Sequence, residues 1–262
     1  MIIGSDANVY DQIASALGSS CDFTGIRCYA GGGALGSSKA VNVFPTPWPV
    51  HGQGTRLLMS VYPDLNDLLA GRLDNQIRGM IAGAPQGSML NAWHEVLSLP
   101  YRQRYLTPYN VYQMHRKMNS LCQGSNVTYG CLLGGGDLTY LMRYVPSALG
   151  YYGLDLYGNL DIWKHPRWGH PSHRWTQFRE LARTKDESGY PWLVVGETNC
   201  PVEAFRPAWF KLLASWMHGY GAHALALLTF WTAHSCGLSG PWDPADKATI
   251  RALRGICSRY GQ

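Results

Sequence analysis

Ser88-Met-Leu-Asn-Ala-Trp-His-Glu95 and, further along, Tyr190-Pro-Trp-Leu-Val-Val-Gly-Glu197 are the two stretches on which the fold turns. Each is a short apolar run that ends on a glutamate. A run of that length and composition reads as a buried strand, with its last residue presented at the rim of a sheet. In a closed α/β barrel that rim is where chemistry is built. Two carboxylates delivered in this way suggest paired acid/base and nucleophile work.

Working outward, these runs are the fourth and seventh of eight. The others are Met1–Ser5, Gly25–Tyr29, Arg56–Tyr62, Val127–Leu133, Tyr151–Tyr157 and Ala222–Trp231, with the two above read as Ser88–His94 and Trp192–Gly196. Between most of them lies a segment of helical spacing: Val9–Leu17, Leu65–Ile81, Thr107–Leu121, Thr139–Ala148, His173–Lys185 and Ala204–His218. Pro244–Arg259 closes the chain. Thr107-Pro108 and Asp243-Pro244 each offer an N-cap followed by proline. Strand and helix in strict alternation imply parallel strands with right-handed crossovers. The fold class expected is α/β, a single (β/α)8 TIM barrel, with residues 1–262 as one domain. The second unit is the weak one: Ala30-Gly-Gly-Gly-Ala-Leu-Gly-Ser-Ser leads into Val41–Pro49 with its three prolines. An irregular βα connection is expected there.

Composition agrees with a packed domain. Of 262 residues 46% are hydrophobic and 15% charged, which argues against disorder. The net charge of +5 comes from scattered side chains, so no nucleic-acid footprint is present. No stretch reaches the length of a membrane span, and the N-terminus lacks the regions of a signal peptide. The site of action is left open: extracellular, virion-associated or cytoplasmic. Seven cysteines include no Cys-x-x-Cys pair. Cys21 with Cys28, or Cys122 with Cys131, are the candidate pairings for an oxidising compartment. Ten Trp and sixteen Tyr exceed the needs of a core. Such rings suit carbohydrate clefts, and equally protein interfaces.

Gly31-Gly-Gly-Ala-Leu-Gly36 spells a dinucleotide fingerprint but follows the second strand rather than the first, so it reads as a loop. Gly134-Gly-Gly136 reads as a tight βα turn near the cleft. His165, His170 and His173 share a Trp-rich loop, Asn159–Ser172, yet match no metal-ligand spacing. No cofactor or metal is implied.

Trp93-His94-Glu95, Gly153-Leu-Asp-Leu-Tyr157, Val195-Gly-Glu197-Thr and Trp231 together resemble a clan A glycoside hydrolase. Within the clan the chain most resembles family 26 and its compact actinobacterial and phage-associated relatives. The resemblance implies Glu95 as general acid/base and Glu197 as nucleophile. It implies Tyr157 as a phenol beside the nucleophile and His94 as the family's histidine before the acid. Strand alternation sets His94 and Glu95 on opposite faces, so a bulge or the strand's end has to intervene. Asp155 lies two residues before Tyr157 and is expected to pair with Arg27 or His94. Arg27, a basic residue within an apolar strand, calls for a carboxylate partner.

For substrate contact the candidates are Trp93, Trp163, Trp168, Trp231, Tyr29 and Tyr62, with His94 and Tyr157. Two departures from the relatives stand out. The segment after strand four reads His94-Glu95-Val96-Leu97 without a second carboxylate, and strand three ends Ser60-Val-Tyr-Pro-Asp64. The function implied is a retaining glycoside hydrolase acting on mannan, xylan, a mixed glucan or a bacterial surface glycan. It would act as a monomer or as part of a larger assembly, on a polysaccharide or oligosaccharide and with neither nucleic acid nor membrane as partner. The rival is a non-catalytic carbohydrate-binding barrel serving as a receptor-binding module. A metal-dependent hydrolase barrel would want His-x-His after strand one, and Ile3-Gly-Ser-Asp6 has none.

Overall fold

The structure is a computed structural model, and it describes residues 2–6, 10–18, 23–30, 42–48, 54–94, 107–158, 170–198, 200, 203–220, 228–230 and 247–260. Eight strands follow one another: β1 Ile3–Asp6, β2 Phe23–Tyr29, β3 Arg56–Val61, β4 Ser88–Ala92, β5 Val127–Leu133, β6 Tyr151–Leu154, β7 Leu193–Val195 and β8 Leu228–Phe230. The helices between them are α1 Tyr10–Leu17, α2 Leu65–Leu69, α3 Asp74–Ala82, α4 Pro108–Cys122, α5 Leu138–Met142, α6 Pro171–Arg183, α7 Arg206–Gly219 and α8 Lys247–Tyr260. All strand pairs are parallel, in the order β7-β6-β5-β4-β3-β2-β1-β8. This is the parallel α/β sheet that the alternation calls for. The end strands β7 and β8 approach one another. No ladder joins them among the described residues.

Pleating sorts the core into two. Ile2, Leu58, Met89, Leu132, Tyr151 and Val194 form a compact cluster on one face of the sheet. Residues one place away, such as Leu57, Met59, Leu90 and Leu133, join the larger cluster with the helices. That division follows from side chains alternating across a strand. Both faces are thereby covered, as a parallel sheet requires.

Helix boundaries follow local chemistry. Thr107 caps α4 as expected, its Oγ1 accepting from the Asn110 N–H at 3.2 Å. The expected helix Leu65–Ile81 is instead α2 and α3, because Gly71 takes φ +77° between them. The segment read as helical to Ala148 stops at Met142, ahead of Pro146. Residues 42–48 contain neither helix nor strand. There Trp48 is buried and donates its indole N–H to the Met80 carbonyl at 2.8 Å. Gly31–Gly36, Asp243-Pro244, Cys21 and Cys236 lie outside the described residues.

Cys122 and Cys131 are buried free thiols, so the pairing considered for them is not formed. Burial pushes each of them up to about 12, which leaves them as inert packing groups at neutral pH. None of the described helices is long and apolar enough to cross a membrane.

One buried histidine lies away from the sheet's rim. On α4, His115 Nδ1 sits 2.8 Å from the Tyr129 hydroxyl, and its Nε2 is buried with no partner among the described residues. Burial lowers the His115 pKa from 6.5 to about 4. The unfolded chain therefore takes up a proton that the folded one refuses as pH falls from 6.5 toward 4. Stability from this group is complete above pH 6.5 and declines through that window, by about 3 kcal/mol in all. Urea unfolding of His115→Phe at pH 7.5, 5.5 and 4.5 should show a shallower decline than the parent. Parallel slopes for the two proteins would refute this account.

Candidate active site

The C-terminal ends of β2, β3, β4, β6 and β7 converge on Glu197. The carboxylate is two residues beyond β7 and 2% exposed. Gly196 before it has no room for a side chain: a Cβ there would lie 2.7 Å from the Leu132 side chain and 3.0 Å from Asp155 Oδ1. The chain can approach β6 only as glycine. The Leu156 N–H then donates to the Glu197 carbonyl at 2.9 Å, which fixes the backbone under the carboxylate.

Three of the described side chains face that carboxylate. The Tyr157 hydroxyl donates to Glu197 Oε2 at 2.7 Å. His94 Nε2 lies 3.3 Å from Glu197 Oε1 and 2.5 Å from Asp155 Oδ2. An ionised carboxylate only accepts, so Nε2 carries the proton in this arrangement and gives it chiefly to Asp155. Arg27 approaches Glu197 Oε1 to 3.7 Å, an ion pair beyond hydrogen-bond length. Arg27 has its carboxylate, and Asp155 pairs with His94 rather than with Arg27.

Arg27 is held by the sheet. Its guanidinium donates to the carbonyls of Cys28 at 2.9 Å and Leu58 at 3.1 Å, and to Ser60 Oγ at 2.6 Å. The Ser60 hydroxyl donates in turn to Asn91 Oδ1 at 2.7 Å. Tyr29 stacks on the guanidinium at 4.1 Å and meets the His94 ring edge-on at 5.7 Å. Ser60 and Asn91 were not singled out in the sequence. The signal was available: a serine and an asparagine within otherwise apolar strands, both fully buried, require partners.

Arg174 was also missed. It reaches from the start of α6 to the carbonyls of Gly134 and of Gly136, the latter at 2.9 Å. The expected turn Gly134–Gly136 is thereby clamped, with Gly136 at φ +109°.

The aromatic candidates separate. Tyr29 borders the cluster. Trp93 is 3% exposed and its indole N–H donates to the Pro63 carbonyl at 2.8 Å, so its ring forms wall rather than a sugar platform. Tyr62 packs edge-on against Trp93 at 5.5 Å. His170 caps α6 through Ser172, with the His173 ring 5.7 Å away. Glu95, Trp163, His165, Trp168 and Trp231 lie outside the described residues.

His94, Asp155 and Glu197 each offer a ligand atom, all within 4.8 Å of one another. Two ligands of a tetrahedral zinc would stand about 3.3 Å apart. The 2.5 Å contact between His94 and Asp155 is closer than that and has the length of a strong hydrogen bond. The donor set as arranged fits a hydrogen-bonded carboxylate better than a metal.

The Tyr157 contact supplies a direct prediction. A charge-assisted hydrogen bond of this kind contributes about 1.5–3 kcal/mol. The bond is already present in the free protein, so Tyr157→Phe should lower the melting temperature by several degrees, and turnover of any substrate of this site should fall because Glu197 loses the phenol that fixes its Oε2. Steady-state rates for the pair check it; unchanged kcat would remove Tyr157 from the machinery.

No family model matches the sequence, and no curated protein matches it either. Solved structures share the fold. A GH128 (subgroup I) endo-β-1,3-glucanase from Amycolatopsis mediterranei aligns with TM-score 0.58 at 11% identity, over 97% of this chain and 99% of that one. A GH26 β-mannanase from Bacteroides ovatus aligns at 0.57 and 11%, over 98% and 88%. The YdhT protein from Bacillus subtilis aligns at 0.55 and 12%, over 95% and 82%. At such identities the likeness is one of fold.

Proposed function

We propose that this protein is a retaining glycoside hydrolase of clan A, with residues 1–262 forming one closed (β/α)8 barrel. Glu197 serves as nucleophile and Glu95 as general acid/base. The observation that carries this reading is the set around Glu197: a buried carboxylate with a phenol on one oxygen, and an imidazole and a guanidinium facing the other. A buried carboxylate is costly unless such donors surround it. Several strand ends combine to supply them, as expected for a site rather than a packing accident.

In the first step Glu197 attacks the anomeric carbon while Glu95 protonates the departing glycosidic oxygen. The bond to the leaving sugar breaks, and a covalent glycosyl-enzyme remains. Glu95, now ionised, takes a proton from water; that water displaces Glu197 and leaves a product of retained configuration. Tyr157 and Arg27 hold the Glu197 charge until it is spent in bond formation. His94, beside Glu95 in sequence and bonded to Asp155, ties the ends of strands four and six together. Tyr29, against Arg27 and His94, offers an aromatic ring at the border of this cluster.

Two of the solved structures named above are an endo-β-1,3-glucanase and a β-mannanase. The departures after strands three and four select no single sugar, so the proposed substrate class stays broad: a hemicellulose such as mannan or xylan, a β-glucan, or a bacterial cell-wall glycan. Reducing-sugar release from a panel of these, by wild type beside Glu197→Gln, tests the reading. Release by wild type alone is the expected result. Silence across the panel with measurable binding to one glycan would transfer the protein to the carbohydrate-binding class.

A further inference from the structure

Strand β4 changes the face it presents just before the site. Met89 lies in the small apolar cluster with Leu58, Leu132 and Val194, while Leu90 and Ala92 pack on the helix side. Asn91 keeps the alternation by meeting Ser60. Continued alternation would send Trp93 to the side of Asn91, and His94 to the side of Ala92. The reverse is found. Trp93 sits in the helix-side core, and His94 faces Asp155 and Glu197.

The inversion falls where the backbone leaves the strand region. Trp93 has φ +52°, a left-handed conformation. A bulky residue there costs about 1–2 kcal/mol, so its surroundings must enforce it. Three contacts do so. The Trp93 N–H donates to the Val61 carbonyl at 2.9 Å. The indole N–H donates to the Pro63 carbonyl at 2.8 Å. The Tyr62 ring closes against the indole at 5.5 Å.

We propose that Trp93 is a positioning residue: its indole, anchored on Pro63, enforces the left-handed turn that brings His94 round to Asp155 and Glu197. The proposal rests on the reading of that cluster as the active site. Two roles can be separated, because packing and backbone rank substitutions in opposite orders. Trp93→Phe keeps most of the ring and loses the anchor while still needing the strained φ. Trp93→Gly loses the whole ring but adopts that φ without cost.

The readout is the low-field ring-proton resonance of the His94–Asp155 hydrogen bond in histidine-labelled protein, assigned by its loss in His94→Asn. Melting temperature is measured beside it. Stability should fall in the order wild type, Trp93→Phe, Trp93→Gly, following lost packing. The resonance should be lost in Trp93→Phe and restored in Trp93→Gly. If Trp93→Gly does not fold, Trp93→Asn takes its place, since Asn also tolerates the left-handed region. Any other order of the resonance, above all its persistence in Trp93→Phe, would overturn the proposal. No substrate enters this measurement. The stated order in a protein inert toward every glycan would sink the hydrolase reading alone, and an active enzyme with a different order would sink this proposal alone.

Discussion

Glu197→Ala should lose turnover by about 10⁴-fold or more while the fold survives. The partners of the carboxylate remain held without it. Removing one carboxylate leaves Arg27 bound to Ser60 and to the carbonyls of Cys28 and Leu58. Asp155 remains bonded to His94, so a negative charge persists in the cluster. The space vacated is small, polar and faced by a guanidinium. Azide should occupy it, attack the anomeric carbon in place of the carboxylate, and restore part of the rate. Its product would be a glycosyl azide of inverted configuration, because one displacement replaces two. The checks are initial rates with and without azide, configuration of the product by proton NMR, and a melting curve. Residual activity within tenfold of wild type in a folded variant would remove Glu197 from the nucleophile's role.

Glu95→Ala should separate substrates by their leaving groups. A general acid matters most where the departing oxygen is a poor leaving group, and its contribution there is about 10²–10⁴-fold. Natural glycans, which release an alkoxide, should suffer that full loss. Aryl glycosides with activated phenols leave without help, so their first step should proceed almost as in wild type. The second step still lacks its base, and the glycosyl-enzyme should accumulate as a burst of phenol followed by slow turnover. Stopped-flow release of a nitrophenol from both proteins, beside hydrolysis of an unactivated oligosaccharide, tests this. Equal losses on the two substrates would assign the acid elsewhere. In the sequence Glu95 directly follows His94, whose ring reaches Asp155 and Glu197.

Much of this architecture was legible from period and punctuation. Strand runs of five to ten residues with helical spacing between them imply parallel strands, and the sheet order β7-β6-β5-β4-β3-β2-β1-β8 follows. The errors lie at element ends. Gly71 divides one expected helix, and Pro146 shortens another, because breakers act on single residues while periodicity averages over many. Site chemistry was legible where burial makes a residue type conspicuous. Arg27 and Asp155 within apolar strands demanded partners, and Glu197 closed a strand with a glycine before it. Ser60, Asn91 and Arg174 escaped because serine, asparagine and arginine are ordinary on a surface, and only their burial makes them informative.

Sequence by itself determined the alternation of elements, the residues that had to be inside, and the place of Glu197 just beyond a strand. Those are properties of local pattern, and solvent exclusion acts on them wherever the strands finally lie. Tertiary structure alone decided who meets whom. Asp155 was open to Arg27 or His94, and the distance of 2.5 Å gives it to His94. Trp93 looked like a sugar platform by type, yet it is wall, because its backbone takes φ +52° and its indole finds the Pro63 carbonyl. A strand's phase is a period-two count that one left-handed residue reverses. That reversal depends on a carbonyl from the neighbouring strand's loop, which no reading along one segment contains.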